Sequence, residues 1–533
     1  MKRWASHQGM AWVERILFAI GLLLVIQPVT STRFHVTHDG PSHALNAHYL
    51  GRLISGTAAD DRQWELNPVP VPNWSGHAVL AAAMQVLDAP EALKALYLLC
   101  LLGLPLAFRW SLNEAGDQPP WGGFLGLPLA MHGPFQMGFL NFSLGLVGLL
   151  LVMRMWRGML SRSATALGWL RLAALLLLLY ASHLVPFAIA LAWGLLHWAE
   201  AYSTAPPASE ERRALRQMLP RLGLAAAPAL ACLAAYLALS PGHGANEPML
   251  APPDNLVAPL LDALCASDRA ELRCWAPFAA LLGVMVLLNR VRHGTQGRAA
   301  ASIGAEGWAV AFTALLFVIM PDRVGKGSGL SIRLALLLYL ALALLLARRL
   351  RAGPAPLLLP ASVITLLLCL SQVRRPGQEL RSHQQRQAYE ASVQVPRGAR
   401  VVTLPCHWMV MHHLELGLAD RDALLLSNYE FINPHFPLRW SPVHDPLLNP
   451  PPPDPLDGLI PLTNVPGAWV RGADAILITG DTLNAPAVPW RALSELLRSH
   501  YRLAARVASN AVYLRIRPEP AGSPDGAVRG RTS

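Results

Sequence analysis

A short polar segment near the N-terminus groups side chains that could transfer a proton. Asp39 follows His38, and His43 comes four residues later, about one turn along a helix. Gly40 and Pro41 suit the start of such a helix. A carboxylate here could act as a general base that His43 orients. The alternative is structural, because an aspartate before a helix often caps its N-terminus.

Histidines around this segment are potential ligands of a divalent metal. Four histidines lie in or beside this segment: His35, His38, His43 and His48. Imidazole is a common metal ligand. We predict His38 and His43 as the candidate ligands. Their spacing matches no closed tetrahedral site, so the sequence leaves a metal as an option.

A second group of candidates follows residue 320, where cations flank a glycine-rich stretch. Arg323, Lys326 and Arg333 surround glycines whose backbone amides could approach an anion closely. We predict that these three side chains bind a phosphate of the substrate. The alternative is a flexible hairpin whose basic side chains reach lipid headgroups.

Three further polar residues stand beside apolar stretches. His77, Asn141 and His183 would each be costly at membrane depth without a partner. We therefore predict that they line one substrate-binding cavity. Trp74, close to His77, has the simpler interpretation of an interfacial anchor.

A strongly apolar chain must position these candidates. Of 533 residues, 53% are hydrophobic and 14% are charged, whereas soluble domains carry about 25% charged residues. Apolar runs long enough to cross a bilayer recur through the first 370 positions. We predict an α-helical polytopic membrane protein with about eleven transmembrane helices, at residues 12–29, 91–108, 120–133, 138–156, 167–182, 184–200, 219–240, 275–290, 305–321, 331–347 and 354–371.

Positive charges between the apolar runs predict the orientation. Lys2 and Arg3 precede the first run, and no clean small-residue cleavage site follows it, so we expect a retained helix instead of a signal peptide. A cytoplasmic N-terminus makes every inner connection basic. The prediction is a bacterial inner membrane protein whose C-terminal domain is periplasmic. Because topology explains the net charge of +11, no nucleic-acid partner is expected.

Changes in composition predict three regions. Residues 1–372 form a multi-pass transmembrane domain with a long first outer loop at 30–90. Residues 373–517 form a small periplasmic α/β domain, and 518–533 form a disordered tail. Strands within the α/β domain are predicted at 400–405, 475–479 and 511–515, with a helix at 490–501.

Two other sets of side chains carry weaker expectations. Cys265 and Cys274 share one predicted outer loop and could form a disulfide in an oxidising compartment, although two unpaired thiols fit equally. Three polar sites fall in the C-terminal domain: Cys406 with His407, His412 with His413, and Asn428 with Glu430. We expect them to recognise the acceptor or to stabilise the assembly.

The whole architecture, with Asp39 in the segment 38–43 (HDGPSH), resembles the GT-C glycosyltransferases of the protein-mannosyltransferase and aminoarabinose-transferase type. The resemblance implies transfer of a hexose or pentose from a polyprenyl-phosphate-linked donor to a lipid or glycan acceptor at the outer face. Transfer would invert the sugar, with Asp39 as general base. Members often carry paired acids in this loop. Here Gly40 follows Asp39, and the later pair Asp60 and Asp61 is the second choice.

Two functions of other classes compete with this one. A transporter or flippase of a lipid-linked saccharide would use the same basic cluster without breaking a bond, but it should show paired repeats and ionisable residues near mid-bilayer. A non-catalytic envelope protein would tolerate replacement of Asp39. The gathering of polar residues at one face favours the enzyme.

Overall fold

The computed structural model describes most of the chain, which divides into two compact units. The first unit comprises Met1–Gln385 and Glu430–Ser441, and the second comprises Arg386–Tyr429 and Pro442–Ser533. The described residues are 2–35, 37–57, 63–112, 121–161, 164–239, 250–251, 255–264, 275, 304–324, 327–350, 362–363, 365–370, 378–405, 412–433, 435–441, 472–479, 495 and 497–516.

The first unit is mainly helical. Six described helices are long and apolar enough to cross a membrane, so the chain is a polytopic membrane protein. Its helices are α1 (Lys2–Thr30), α2 (Gly40–Ile54), α3 (Ser75–Ala83), α4 (Ala89–Leu112), α5 (Gly133–Gln136), α6 (Leu140–Leu160), α7 (Ala166–Ser182), α8 (Leu184–Thr204), α9 (Glu210–Leu239), α10 (Val257–Leu264), α11 (Ala305–Ile319) and α12 (Leu330–Leu350).

The predicted count of eleven crossings is not what the described residues contain. The six candidate spans lie in α1, α4, α6, α8, α9 and α12, while α7 and α11 are apolar but only 17 and 15 residues long. The predicted spans at 275–290 and 354–371 fall largely outside the described residues. The described residues therefore support six of the predicted crossings by length and composition.

The predicted span at 120–133 is wrong. A short 3-10 helix, Trp121–Gly126, occupies its first half, and turns lead from there to α5. A Cβ atom on Gly122 would lie 2.8 Å from the carbonyl oxygen of Ala347 in α12. Gly122 and the nearby Gly123 and Gly126 let the segment pack closely against neighbouring helices. Its apolar residues are therefore buried in protein and need no lipid contact.

The outer surfaces of the long helices carry large apolar side chains. Leu224 and Leu237 on α9 are 76% and 68% exposed in the isolated chain. Exposed apolar side chains of this size are unfavourable in water and fit contact with lipid.

Between α7 and α8, His183 adopts an extended conformation (φ −166°, ψ 137°) and its Nδ1 accepts the N–H of Val185. The predicted junction of two helices at His183 is therefore observed.

The loop between α1 and α4 folds onto the segment 430–441 within the first unit. Strand β1 (Trp64–Leu66) pairs with a later strand, Leu438–Trp440, in antiparallel register. The ring of Tyr49 packs beside this strand pair. Its centroid lies 4.9 Å from that of Trp64 and 5.5 Å from that of Phe431. A piece of the predicted C-terminal domain thus belongs to the membrane unit.

The second unit is built on a five-stranded sheet. The predicted strands at 400–405 and 475–479 are confirmed, and that at 511–515 begins one residue earlier. Of the predicted helix at 490–501, residues 495 and 497–500 are described and helical, whereas Tyr501 already lies in a strand. The tail 518–533 lies outside the described residues. The remaining described elements of both units, in chain order, are β2 (Leu250–Ala251), β3 (Arg323–Val324), α13 (Gln378–Ser392), β4 (Arg400–Pro405), α14 (Glu415–Asp420), β5 (Leu424–Leu425), α15 (Tyr429–Ile432), β6 (Leu438–Trp440), β7 (Ala475–Thr479), β8 (Tyr501–Val507) and β9 (Asn510–Arg515). Of these, β2, β3 and β6 lie in the first unit.

The strand order in the sheet is β5-β4-β7-β9-β8. The pairs β5-β4 and β4-β7 are parallel, whereas β7-β9 and β9-β8 are antiparallel. All five residues of β7 are buried, as expected for a central strand covered on both faces. The edge strand β8 was not predicted, because two arginines and two alanines among its seven residues give it a weak strand signal.

A buried ion pair joins α1 to α4. Nε and Nη2 of Arg109 donate to the two carboxylate oxygens of Glu14, at 3.0 and 2.7 Å. The Glu14 side chain is 1% exposed. Arg109 also lies over the Phe18 ring, 5.1 Å from its centroid. A charge buried in this way depends on its partner.

We expect Arg109→Gln to lower the free energy of unfolding by about 3–5 kcal/mol, because it leaves the Glu14 carboxylate buried without its cation. The double variant Glu14→Gln/Arg109→Gln should lose clearly less. Thermal unfolding in detergent micelles measures both. Equal losses in the single and double variants would mean that the pair does not join these helices.

Candidate functional site

Backbone hydrogen bonds fix the position of the candidate base. The N–H of His38 donates to the carbonyl of Gln136 at 3.0 Å, and the N–H of Asp39 donates to that of Met137 at 3.2 Å. The segments 38–43 and 132–141, which are far apart in sequence, therefore lie side by side. The position of the Asp39 backbone therefore depends on the turn after α5.

This close approach requires glycine on both sides. Gly138 has φ +86°, and a Cβ atom there would lie 2.6 Å from the amide nitrogen of Asp39. A Cβ atom on Gly40 would collide with the hydroxyls of Thr37 and Tyr97. Those two hydroxyls are hydrogen-bonded to each other at 2.7 Å in the interior. The segment that carries Asp39 is thus enclosed by backbone and by a buried polar pair.

Asp39 occupies the N-cap position of α2 but does not cap it. Its backbone is helical there (φ −89°, ψ −8°), and its side chain makes no capping hydrogen bond. Instead its Oδ1 lies 2.6 Å from Nδ1 of His38, and the side chain is 19% exposed. The carboxylate is held by a neighbouring imidazole and remains accessible, which suits a base better than a cap.

A cation from α12 reaches the same place. Arg333 interacts electrostatically with both Asp39 and Asp322. Its guanidinium lies over the Phe139 ring, 4.1 Å from the centroid, and donates to the carbonyl of Ser328 at 2.5 Å. Its Nε is buried and has no hydrogen-bond partner among the described residues. The site therefore combines a carboxylate with a guanidinium that retains donor capacity.

The other predicted cation positions are only partly described. Arg323 lies in β3, which pairs with β2, and it is half-buried. Lys326 lies outside the described residues, as do Cys265 and Cys274. Asp322 accepts from the N–H of Ser331 at 3.0 Å and so fixes the turn that leads into α12. This turn positions Arg333.

The predicted cavity residues find partners on neighbouring helices. Asn141 accepts the N–H of Gly76 through Oδ1 at 2.7 Å. The ring of His183 packs against Phe142, with centroids 5.3 Å apart, and interacts electrostatically with Arg333. His183 therefore lies near the guanidinium, whereas Asn141 connects α6 to α3.

His77 belongs to a second, fully buried cluster with His43 and Glu430. Nδ1 of His43 lies 2.7 Å from Oε1 of Glu430, and Nε2 of His77 lies 2.8 Å from Oε2. The three side chains are 6%, 1% and 1% exposed. The two imidazole rings are 5.1 Å apart and nearly perpendicular. Phe436 contacts both rings and helps to shield them from water.

The outer ring nitrogens of this cluster face backbone carbonyls. Nε2 of His43 lies 3.1 Å from the carbonyl oxygen of Gly138, and Nδ1 of His77 lies 3.1 Å from that of Asn73. A carbonyl only accepts, so each of these nitrogens carries a proton. Burial alone would raise the pKa of Glu430, but the imidazoles of His77 and His43 outweigh burial and lower that pKa to about 2.

The sequence did not predict this second cluster. Glu430 is 387 positions from His43 and 353 from His77, and no local spacing relates them. The predicted ligand pair His38 and His43 has different partners here, because His38 contacts Asp39 and His43 contacts Glu430. The signal that could have suggested the cluster is an acidic residue, Glu430, within an apolar and aromatic stretch.

We expect Gly138→Ala to destabilise the protein by about 1–3 kcal/mol, because alanine is strained at this positive φ and its methyl group would push the Asp39 backbone away. Gly158→Ala in α6 is the matched control, since its added methyl group would meet only the end of the Arg154 side chain, at 3.7 Å. Thermal unfolding in detergent compares the two. A Gly138→Ala protein as stable as the control would contradict the close approach.

Known proteins provide no identity for this chain. No protein-family model matches the sequence, and comparison with curated proteins finds no significant match. The resemblance to GT-C glycosyltransferases consequently depends on architecture and on the Asp39 segment. What the protein does must be argued from the arrangement of its side chains.

Proposed function

We propose that the protein is a membrane glycosyltransferase of GT-C type, which transfers a hexose or pentose from a polyprenyl-phosphate-linked donor to a lipid or glycan acceptor. The observation that supports this most is the electrostatic interaction of Arg333, held over the Phe139 ring, with Asp39. Transfer from a phosphate-linked donor needs a base for the acceptor hydroxyl and a cation for the departing phosphate. This pair has both chemical types.

In the proposed reaction, the acceptor hydroxyl attacks the anomeric carbon of the donor sugar. The bond between that carbon and the phosphate oxygen breaks, and the polyprenyl phosphate leaves with the bonding electrons. Asp39 takes the hydroxyl proton, and attack opposite the leaving group inverts the sugar. His38, at 2.6 Å from Asp39, orients the carboxylate.

Arg333 would hold the donor phosphate. The Phe139 ring fixes the plane of its guanidinium, and a fixed guanidinium presents its donors to phosphate oxygens with little further loss of side-chain freedom. Asp39 and Asp322 compensate part of its charge in the absence of substrate. Arg323 and Lys326 are additional candidates for the same anion.

The proposed setting is a bacterial inner membrane with a cytoplasmic N-terminus, with Asp39 and the C-terminal domain at the periplasmic face. Basic connections between the apolar runs support this orientation. A lipid-linked donor also fits an Asp39 site adjacent to long helices whose surfaces are apolar. The donor's polyprenyl chain could remain in the bilayer while its sugar reaches the carboxylate.

We expect Asp39→Asn to reduce sugar transfer about 100-fold to 10,000-fold, because the amide keeps the shape of the side chain but cannot take the proton. Transfer of radiolabelled sugar from membrane lipid to acceptor measures the effect at matched levels of folded protein. Asp88→Asn is the control: Asp88 lies in the same outer loop, caps α4 and pairs with exposed Arg33.

The outcomes of the transfer assay distinguish the three candidate functions. Unchanged transfer by Asp39→Asn would remove Asp39 from the mechanism. Absence of transfer by the wild type with every donor tried, together with movement of the lipid-linked saccharide across the bilayer, would favour the transporter. Neither transfer nor movement would favour an envelope protein without catalytic activity.

We expect Arg333→Gln to raise the KM for the donor about 10-fold to 100-fold, the effect of losing a hydrogen bond to a charged group, about 1.5–3 kcal/mol. Arg333→Lys should recover part of the loss, since it restores the charge without the planar donors. Arg33→Gln is a matched control, because the Arg33 side chain is 51% exposed and pairs with Asp88. Unchanged donor KM in Arg333→Gln would exclude Arg333 from phosphate binding.

A further inference from the structure

The buried cluster of His43, His77 and Glu430 has no part in the proposed transfer, yet it collects three groups that commonly bind metals. One coordinating atom from each residue lies within 4.8 Å of those of the other two. All three side chains are buried in the first unit. They come from α2, from α3 and from the segment 430–441, so the cluster joins three separate stretches of chain.

The hydrogen bonds of the cluster fix which ring nitrogen faces inward. Gly138 and Asn73 present carbonyl oxygens to the outer nitrogens of the two histidines, at 3.1 Å each. Those nitrogens must donate, so the inner nitrogens of neutral rings carry lone pairs that point toward Glu430. Histidines that bind metals are usually held in this way, with the distal N–H on a carbonyl or carboxylate.

We infer that His43, His77 and Glu430 form a structural site for a divalent transition metal, with Zn²⁺ as the preferred ion. Two imidazoles and one carboxylate are a ligand set that zinc accepts, whereas Mg²⁺ and Ca²⁺ prefer oxygen ligands alone. Ligand atoms around zinc are separated by roughly 3.3 Å, as follows from bond lengths of about 2.0–2.1 Å in a tetrahedron. The inward contacts of 2.7 and 2.8 Å need to open by only about half an ångström to reach that geometry.

The metal would tie the segment 430–441 to the outer loop. His43 lies one turn after Asp39 on α2, and the carbonyl that holds its outer nitrogen belongs to Gly138, whose backbone also contacts the Asp39 amide. Metal bound here would stabilise the helix that carries the candidate base without touching the substrate. His43, His77 and Glu430 are accordingly positioning residues.

The test measures metal in the purified protein and does not depend on transfer activity. The full chain, free of affinity-tag histidines, is purified in detergent without chelators, and its bound metals are quantified by mass spectrometry. We expect about one zinc ion per chain, as for a single three-residue site. His77→Asn and Glu430→Gln should lose it. His48→Asn on α2 and Glu65→Gln on β1 are the matched controls, and both should retain it.

Wild-type protein supplies a second measurement if a variant fails to fold. Removal of metal with EDTA should lower the thermal unfolding midpoint, and stoichiometric ZnCl₂ should restore it, whereas MgCl₂ should not. Bound iron or cobalt in place of zinc, lost in the same two variants, would support the site and change only the ion. Absence of any bound metal together with no effect of ZnCl₂ on stability would overturn the inference, as would full metal retention by folded His77→Asn.

Discussion

The buried carboxylate of Glu430 is the constraint on which the arrangement of α2, α3 and the segment 430–441 depends. It engages His43 on α2 and His77 on α3, and its own segment continues into β6, which pairs with β1. An ionised group at this depth is tolerable only with such partners. Because Glu430 must keep those partners, residues near the start of the chain are held against residues beyond position 429. The loop between α1 and α4 therefore cannot fold alone.

The turn at Gly138 connects the buried cluster to the candidate base, Asp39. Its carbonyl faces His43, while its Cα lies so close to the Asp39 amide that only glycine fits. One backbone unit is thus shared by the buried cluster and the more exposed site. The geometry around Asp39 is therefore determined by main-chain packing, which is stiffer than a side chain, and a base benefits from such a fixed position.

The membrane helices supply the remaining part of the site. Arg333 lies in the first turn of α12, near the turn fixed by Asp322, and its guanidinium lies over the Phe139 ring before α6. Polar groups at helix ends are tolerated in a membrane protein when they pair with each other or face a polar cavity. The same reasoning applies to Glu14 and Arg109, whose pair joins α1 to α4 away from the Asp39 segment.

The sequence by itself determined the class of the protein, the start of α2 at Gly40, the junction at His183 and three strands of the second unit, because apolar runs, glycine–proline turns and β-branched residues act locally. It did not determine the number of spans, since residues 120–133 are apolar for burial against α4 and α12 and not for lipid contact. Nor could it relate Glu430 to His43 and His77, or Arg333 to Asp39. Those interactions join residues separated by hundreds of positions. Only the packing of the whole first unit, with the cost of leaving a buried charge unpaired, decided them.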